Sequence, residues 1–342
     1  MTDRVSPEIW EAAKQRAEAR AGHDWATADR LRAEIEAAGW RVVDTGSSFR
    51  LEPAAVDVEV EGEIRYGSSD AVPSRLLEPP EGLASIVLVA STDPDETRRA
   101  LDSLASGVPE GVDVVLVADG LPDRALGSLR ASDLAGRQGV SVELVRTSAV
   151  LGHGAALNIG IRRSRAPVVI VLDPCIVPGG DIVSPLVRAL DDPSVAIAGP
   201  FGLVSADLRR FEESASGADV PSIPAGATGP AGPGTTAADA AAIQGYLMAF
   251  RRSDAIGRGP LDEGFRFYRN VDIWWSLVLR DEGEETPPRR AVTVPGLLLT
   301  RGEPRAWTGT PPAERDRLSK RNFYRVLDRF RTRLDLAVPV RP

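Results

Sequence analysis

A chain of 342 residues, 43% hydrophobic and 26% charged, is long enough for a sizeable core and has the make-up of a globular protein. Its net charge of −8 argues against a whole-protein nucleic-acid binder, and its single cysteine, Cys175, excludes an intramolecular disulfide framework. No apolar run reaches the roughly 18 residues of a membrane span, and the charged opening MTDRVSPEIW lacks the apolar core of a secretory signal, so a cytoplasmic protein is expected.

Residues 7–38 predict two helices. Pro7 suits a first helical turn, Gly22 punctuates, and Asp24 can cap a second helix that stops at Gly39. Trp25, Ala28, Leu31, Ile35 and Ala38 give that helix one apolar face, and WRVVDT at 40–45 reads as extended. Residues 1–50 are therefore expected to form a helical hairpin add-on. The run HDWATADRLRAEIEAAGWRVVDT resembles the C-terminal helical segment of cysteinyl-tRNA synthetases. The match is confined to the first 45 residues and includes none of that enzyme's catalytic motifs; the segment's histidine, His23, makes no zinc cluster. It implies a small docking element, with a tRNA-linked accessory protein as a weaker alternative.

Residues 51–82 read as a linker in which VDVEVEGEIRY, alternating apolar and acidic, suggests short strands. From Leu83 the pattern becomes strand–helix–strand. ASIVLVAS, VDVVLVADG, VSVELVR and VVIVLD read as buried strands. The intervening helices are DPDETRRALDSLAS, capped by Asp93, then LPDRALGSLRASDLAG and LGHGAALNIGIRRS. A further helix–strand unit, IVSPLVRALDDP and VAIAGPFGLVS, extends the series. Such alternation indicates an α/β fold with a doubly wound, mostly parallel sheet. Residues 211–240 are dominated by Gly, Ala, Pro, Ser and Thr and are expected to form a flexible surface loop. AAIQGYLMAFRR is a further strand candidate, a helix is expected from about Val271 with Ile273, Trp274 and Leu277 on one face, and residues 311–342 hold a basic amphipathic helix.

The run VVIVLDPCIVPGGD ends a buried strand in Asp173 and breaks at Pro174. The carboxyl end of a strand is where open α/β sheets place ligands. Asp119 ends its own strand in the same way. Gly152, Ala156, Asn158 and Gly160 space a turn and helix as Gly-x-x-x-Ala-x-Asn-x-Gly, and Leu261-Asp262-Glu263-Gly264-Phe265 follows IQGYLMAFRR. In this order the motifs resemble the family 2 glycosyltransferases over about residues 83–290. The resemblance implies a GT-A-type fold over 83–310. Residues 83–200 would bind a nucleotide-sugar donor, and 201–310 would receive an acceptor: a glycan, a lipid-linked saccharide or a small molecule. It implies donor contacts from Asp119, Gly152, Asn158 and Asp173, with His153 beside the diphosphate, and acceptor contacts from Asp262 and Glu263. Trp274 and Trp275 point to different helix faces, so one suits the core and the other, taken as Trp275, suits a sugar ring. The family's general base falls at Asn270 or Asp272 by two registers; Asp272 is preferred because it keeps a carboxylate.

A divalent cation, Mg2+ or Mn2+, is also implied, held by Asp173. The second carboxylate of the family's Asp-x-Asp is here Cys175, a softer thiol poorly suited to either ion; Asp181 is another oxygen donor nearby. The two altered motifs make a catalytically degenerate binding or scaffold protein the alternative to an inverting transferase. Arg321, Arg325, Arg329, Arg331 and Arg333 on the last helix suit either a peripheral contact with an anionic membrane or a solvated face.

Overall fold

The computed structural model describes residues 5–22, 24–45, 48–126, 140–214, 237–302 and 309–339. Helices α1 (Pro7–Ala21) and α2 (Trp25–Ala37) form the expected hairpin. Ser6 caps the first, accepting from the Ile9 N–H, and Asp24 caps the second, accepting from the Thr27 N–H at 3.1 Å. Ala12, Ala13, Leu31 and Ile35 close a small core between them, which β1 (Trp40–Thr45) and β2 (Ser48–Pro53), an antiparallel pair, cover with Trp40, Val42, Phe49 and Leu51. His23 lies outside the described residues.

The main body starts with a short antiparallel pair, β3 (Val58–Val60) and β4 (Glu63–Tyr66). It continues through β5 (Ala84–Val89), α3 (Pro94–Gly107), β6 (Val112–Ala118), α4 (Asp123–Leu126) and β7 (Ser141–Thr147). Then come α5 (His153–Arg163), β8 (Val168–Leu172), β9 (Ile176–Pro178), α6 (Val183–Ala189), β10 (Val195–Gly199) and β11 (Gly202–Val204). The remaining elements are β12 (Glu212–Glu213), β13 (Asp239–Ala240), β14 (Ala242–Ile243), β15 (Leu247–Arg251), α7 (Arg252–Arg258) and α8 (Val271–Arg280). β16 (Arg290–Thr293), β17 (Leu299–Arg301) and α9 (Pro312–Phe330) follow, with a short 3-10 turn at Leu334–Leu336.

Among the described residues the large sheet runs β13-β16-β10-β15-β8-β5-β6-β7-β4-β3. The block β8-β5-β6-β7-β4 is parallel throughout, which confirms the expected α/β fold with a doubly wound, mostly parallel sheet. Strands β6, β8 and β10 are buried at every position, as expected for apolar runs sandwiched between helices. The structure departs from the sequence reading in two places. The presumed linker is part of the sheet, because β4 pairs with β7. β10 does not follow β8 directly: β15 lies antiparallel between them, bringing Gly245 and Tyr246 beside the end of β8. Most of the 211–240 segment, residues 215–236, and residues 127–139 of the second expected helix lie outside the described residues.

Helix α5 lies against β5 and β6. A Cβ at Gly160 would stand 2.1 Å from a methyl of Val87, so only glycine allows that approach. Helix α8 is buried on all sides except at Asp272, since the sheet covers one face and α9 another. The expectation that Trp275 stacks on a sugar is therefore corrected. Trp275 is 1% exposed and meets Phe250 edge to face, while Trp274 meets Phe265 and Phe330. On α9, Arg325 pairs with Asp262 and Arg329 lies over Trp274; beyond it Arg333 pairs with Asp281 and Asp335. These inward contacts leave those three charges little to offer a membrane surface. Among the described residues no helix is long and apolar enough to cross a membrane.

The hairpin is lashed to this body by buried charge. Arg32 pairs with Glu263, which also accepts from the Ser69 hydroxyl and, at 3.0 Å, from Asn158 Nδ2. Arg325 approaches Asp262 to 2.9 Å and Arg20 to 3.9 Å. Burial pushes both carboxyls up, but Arg325 and Arg20 at Asp262, and Arg32 at Glu263, outweigh it and hold them below the ordinary range. Asp262→Ala would remove the buried carboxylate that two guanidinium groups share. A loss of about 3 kcal/mol in urea unfolding is expected, whereas a loss within about 0.5 kcal/mol would show the pairs to be ornamental.

Candidate active site

The chain winds from β5 through β6 and β7 to one side and returns to place β8 on the other side of β5. The crevice at such a reversal, outside the carboxyl ends of the strands, is where doubly wound sheets bind ligands. Two adjoining cavities open there. One, of about 170 Å³, is lined by Ser91, Thr92, Glu96 and Pro174 beyond β5 and β8. The other, of about 300 Å³, is lined by Gln244, Tyr246, Arg269, Asn270 and Asp272. His153, Val171, Asp173, Gly245 and Tyr268 border both.

Asp173 sits at the shared wall. Its Oδ1 accepts from the Cys175 N–H at 2.9 Å, closing a turn over Pro174, and its own N–H donates to the Tyr246 carbonyl at 2.9 Å. Asp272, at the first turn of α8, accepts from the Gly245 N–H on Oδ2 and the Ile273 N–H on Oδ1, both at 2.9 Å. Two consecutive residues, Gly245 and Tyr246, thus bridge the two aspartates. A Cβ at Gly245 would lie 3.3 Å from that of Asp272, so glycine gives the carboxylate room. Burial raises the pKa of both aspartates. Asn270 takes left-handed backbone, φ 67°, and donates to the Ser319 carbonyl on α9, so in this segment Asp272 is the carboxylate that faces the cleft.

The remaining sequence candidates do other work. Asp119 accepts from the N–H groups of Leu151 (2.7 Å) and Gly152 (2.9 Å) and from the Thr147 hydroxyl (3.0 Å), fastening the turn before α5 rather than lining the cleft. Gly152 has φ +105°, and a Cβ there would meet the Arg266 backbone at 2.8 Å. Asn158 is buried; its Oδ1 accepts from the Leu261 N–H at 2.9 Å and its Nδ2 donates to the Leu261 carbonyl at 3.0 Å. Asp262 and Glu263 are consumed in the ion pairs described above. Asp119, Gly152 and Asn158, expected as donor ligands, and Asp262 and Glu263, expected as acceptor ligands, thus make their contacts within the protein itself. A larger cavity of about 540 Å³ opens between the hairpin and α8, but its carboxylates Glu36, Asp70, Asp262 and Glu263 are each paired with an arginine, so the β5–β8 crevice is the candidate site. Asp181 caps α6, accepting from the Val183 and Ser184 N–H groups.

Residues 85–252 match the family model described as Glycosyl transferase family 2. This segment, just under half of the chain, is similar to the family 2 glycosyltransferases. Among solved structures the chain is similar to GalNAc-T7 with UDP, GalNAc and Mn2+, at 16% identity and a TM-score of 0.53, covering 81% of this chain and 51% of that one. The chain thus spans about half the length of that structure, and the likeness supports the fold. It is also similar to the mannosyltransferase PcManGT from Pyrobaculum calidifontis in complex with GDP-Man and Mn2+, at 15% identity and a TM-score of 0.45, covering 78% of this chain and 75% of that one. No curated protein matches the chain.

A divalent cation of the kind the fold family implies fits these side chains poorly. Hard cations take oxygen donors. Cys175 is 5% exposed, and burial together with the Asp173 charge pushes its thiol far up, so it stays protonated and hydrogen-bonded to Asp173. Among the described residues no three His, Cys, Asp or Glu side chains are grouped to hold a metal ion.

Sequence reading missed Glu96, Tyr246, Tyr268 and Arg269. Glu96 looked like a first-turn helix carboxylate; it is 8% exposed, and its Oε2 is buried with no hydrogen-bond partner beside Asp173. His153 opens α5 and meets Tyr268 edge to face. Burial at the cleft wall lowers its pKa from 6.5 to about 4. The unfolded chain takes up this proton near pH 6.5 and the folded one only near pH 4, so folded stability falls as pH drops through that window. In His153→Gln, urea midpoints measured from pH 7 to pH 4 should fall less steeply than in the wild type. An identical slope would place the titration elsewhere.

Proposed function

We propose that the chain is an inverting glycosyltransferase that moves a sugar from a nucleoside diphosphate donor to an acceptor hydroxyl. The observation that carries this reading is the convergence of Asp173, His153, Arg269 and Asp272 on one crevice of a domain similar to family 2, at its topological switch point. Asp173 and Glu96 would accept hydrogen bonds from hydroxyl groups of the donor; an unpartnered buried carboxylate oxygen is what such a hydroxyl satisfies. Asp272 would take the proton of the acceptor hydroxyl as its oxygen attacks the anomeric carbon and the bond to the departing phosphate oxygen breaks. Each of its oxygens accepts one backbone N–H and keeps acceptor capacity for the incoming proton. Its raised pKa makes it a stronger base than an exposed aspartate. Neutral His153 and the Tyr268 ring would wall the reacting centre. The scaffold alternative lacks a comparable observation, because a carboxylate, Asp272, lines the crevice despite the altered motif.

Calorimetry with UDP-, GDP- and dTDP-sugars should find one that binds. Asp173→Ala should weaken it, while Asp272→Asn should keep binding and lower turnover by about a hundredfold or more. Turnover should rise with pH as Asp272 loses its proton, with a limb displaced upward from 3.8 that Asp272→Asn abolishes. Full turnover in Asp272→Asn would overturn the base assignment. Failure of every nucleotide-sugar to bind would overturn the enzyme reading.

A further inference from the structure

We infer that this site meets the diphosphate of its donor with two guanidinium groups, Arg301 and Arg269, in place of a divalent cation. The inference rests on the glycosyltransferase reading and concerns how the same crevice handles leaving-group charge. When the bond from the anomeric carbon to the phosphate oxygen breaks, its electron pair stays with the nucleoside diphosphate. A transferase must stabilise that growing charge with a metal ion or with fixed cations. Cys175 removes the second oxygen ligand, and what the fold brings to this turn instead is positive.

Arg301 is delivered by strand pairing. β17 runs antiparallel to β9 with Arg301 opposite Ile176, and the Gly302 N–H donates to the Cys175 carbonyl at 2.9 Å, so Arg301 is fixed beside the Asp173-Pro174-Cys175 turn. Its guanidinium lies 4.8 Å from the Phe201 ring centroid and 5.1 Å from that of Tyr246, and those rings meet edge to face at 5.7 Å. Stacking of this kind orients the planar group without using its N–H donors. Nη1 of Arg301 is buried and has no hydrogen-bond partner. A buried charged donor left open is costly unless a ligand oxygen completes it. Tyr246, which carries the stack, lines the crevice beside Asp173.

Arg269 belongs to the segment that leads into α8 and lines the same cavity as Asp173 and Asp272. Together the two groups carry the charge of one divalent cation. Their forked donors suit phosphate oxygens, where a bidentate pair is stronger than a neutral hydrogen bond. The cation route would need Glu96 and Asp173 as its ligands, and the experiment below separates the two.

The full-length protein is titrated calorimetrically with UDP and GDP, and with UMP and GMP, in buffer containing either EDTA or Mn2+. In EDTA a nucleoside diphosphate should bind about tenfold or more tighter than its monophosphate, and Mn2+ should leave that ratio within about twofold. Arg301→Gln and Arg269→Gln should each shrink the ratio toward unity while sparing the monophosphate, and the lysine variants should restore part of it. A variant that merely disturbs folding would lower both affinities together, so a ratio unchanged in Arg301→Gln and Arg269→Gln alike overturns the inference. Diphosphate binding that EDTA abolishes and Mn2+ restores overturns it too, and leaves the glycosyltransferase reading standing. If no nucleoside diphosphate binds in either buffer, both readings fall together.

Discussion

The crevice depends on how one irregular segment, residues 261–270, is held. It has little regular structure of its own, so its polar groups must find partners elsewhere. Asn158 on α5 supplies an amide that satisfies both backbone groups of Leu261, as a strand neighbour would. Asn322 on α9 donates to the carbonyls of Phe267 and Arg269 at 2.8 Å each. Arg20 and Arg32 on the hairpin and Arg325 on α9 neutralise Asp262 and Glu263. Where this segment ends, α8 begins, and with it Asp272. The position of the candidate base is therefore set by two buried asparagines and three arginines that do not line the cleft around it.

This gives the N-terminal hairpin a physical role independent of any tRNA synthetase resemblance. Its own core is small, four buried apolar residues topped by a two-stranded ribbon, and its charged faces are what dock it. Buried ion pairs add little net stability over apolar contacts, yet they are costly to break singly. They favour one register of hairpin against body. The Tyr268 ring and Arg269, which line the crevice, sit on the segment so held.

Much of the site was legible before any coordinates. Asp173 at a strand end, His153 after Gly152, and a carboxylate at 272 each follow from local pattern, because strand ends and helix starts are local facts. The candidates found bonded within the protein share a cause. Asp262, Glu263, Asn158 and Asp119 carry the right chemistry for a ligand, but whether a polar side chain is free depends on partners remote in sequence. Arg32 and Glu263 are 231 positions apart. Glu96 shows the converse. Its sequence position marks only a helix-start carboxylate, and only the approach of β8 reveals a buried oxygen beside Asp173.

Sequence alone determined the alternation of buried strands and amphipathic helices, the α/β class, and the Asp-Pro-Cys break that sets this chain apart from the family 2 Asp-x-Asp pattern. Periodicity and turn chemistry act over a few residues and can be read there. Tertiary structure alone decided that β15 enters antiparallel between β8 and β10, and that Gly245 and Tyr246 bridge the two aspartates. It also decided which carboxylates are spent on arginines and where Arg301 stacks. Those outcomes come from strand order and charge burial, which depend on the whole chain closing on itself.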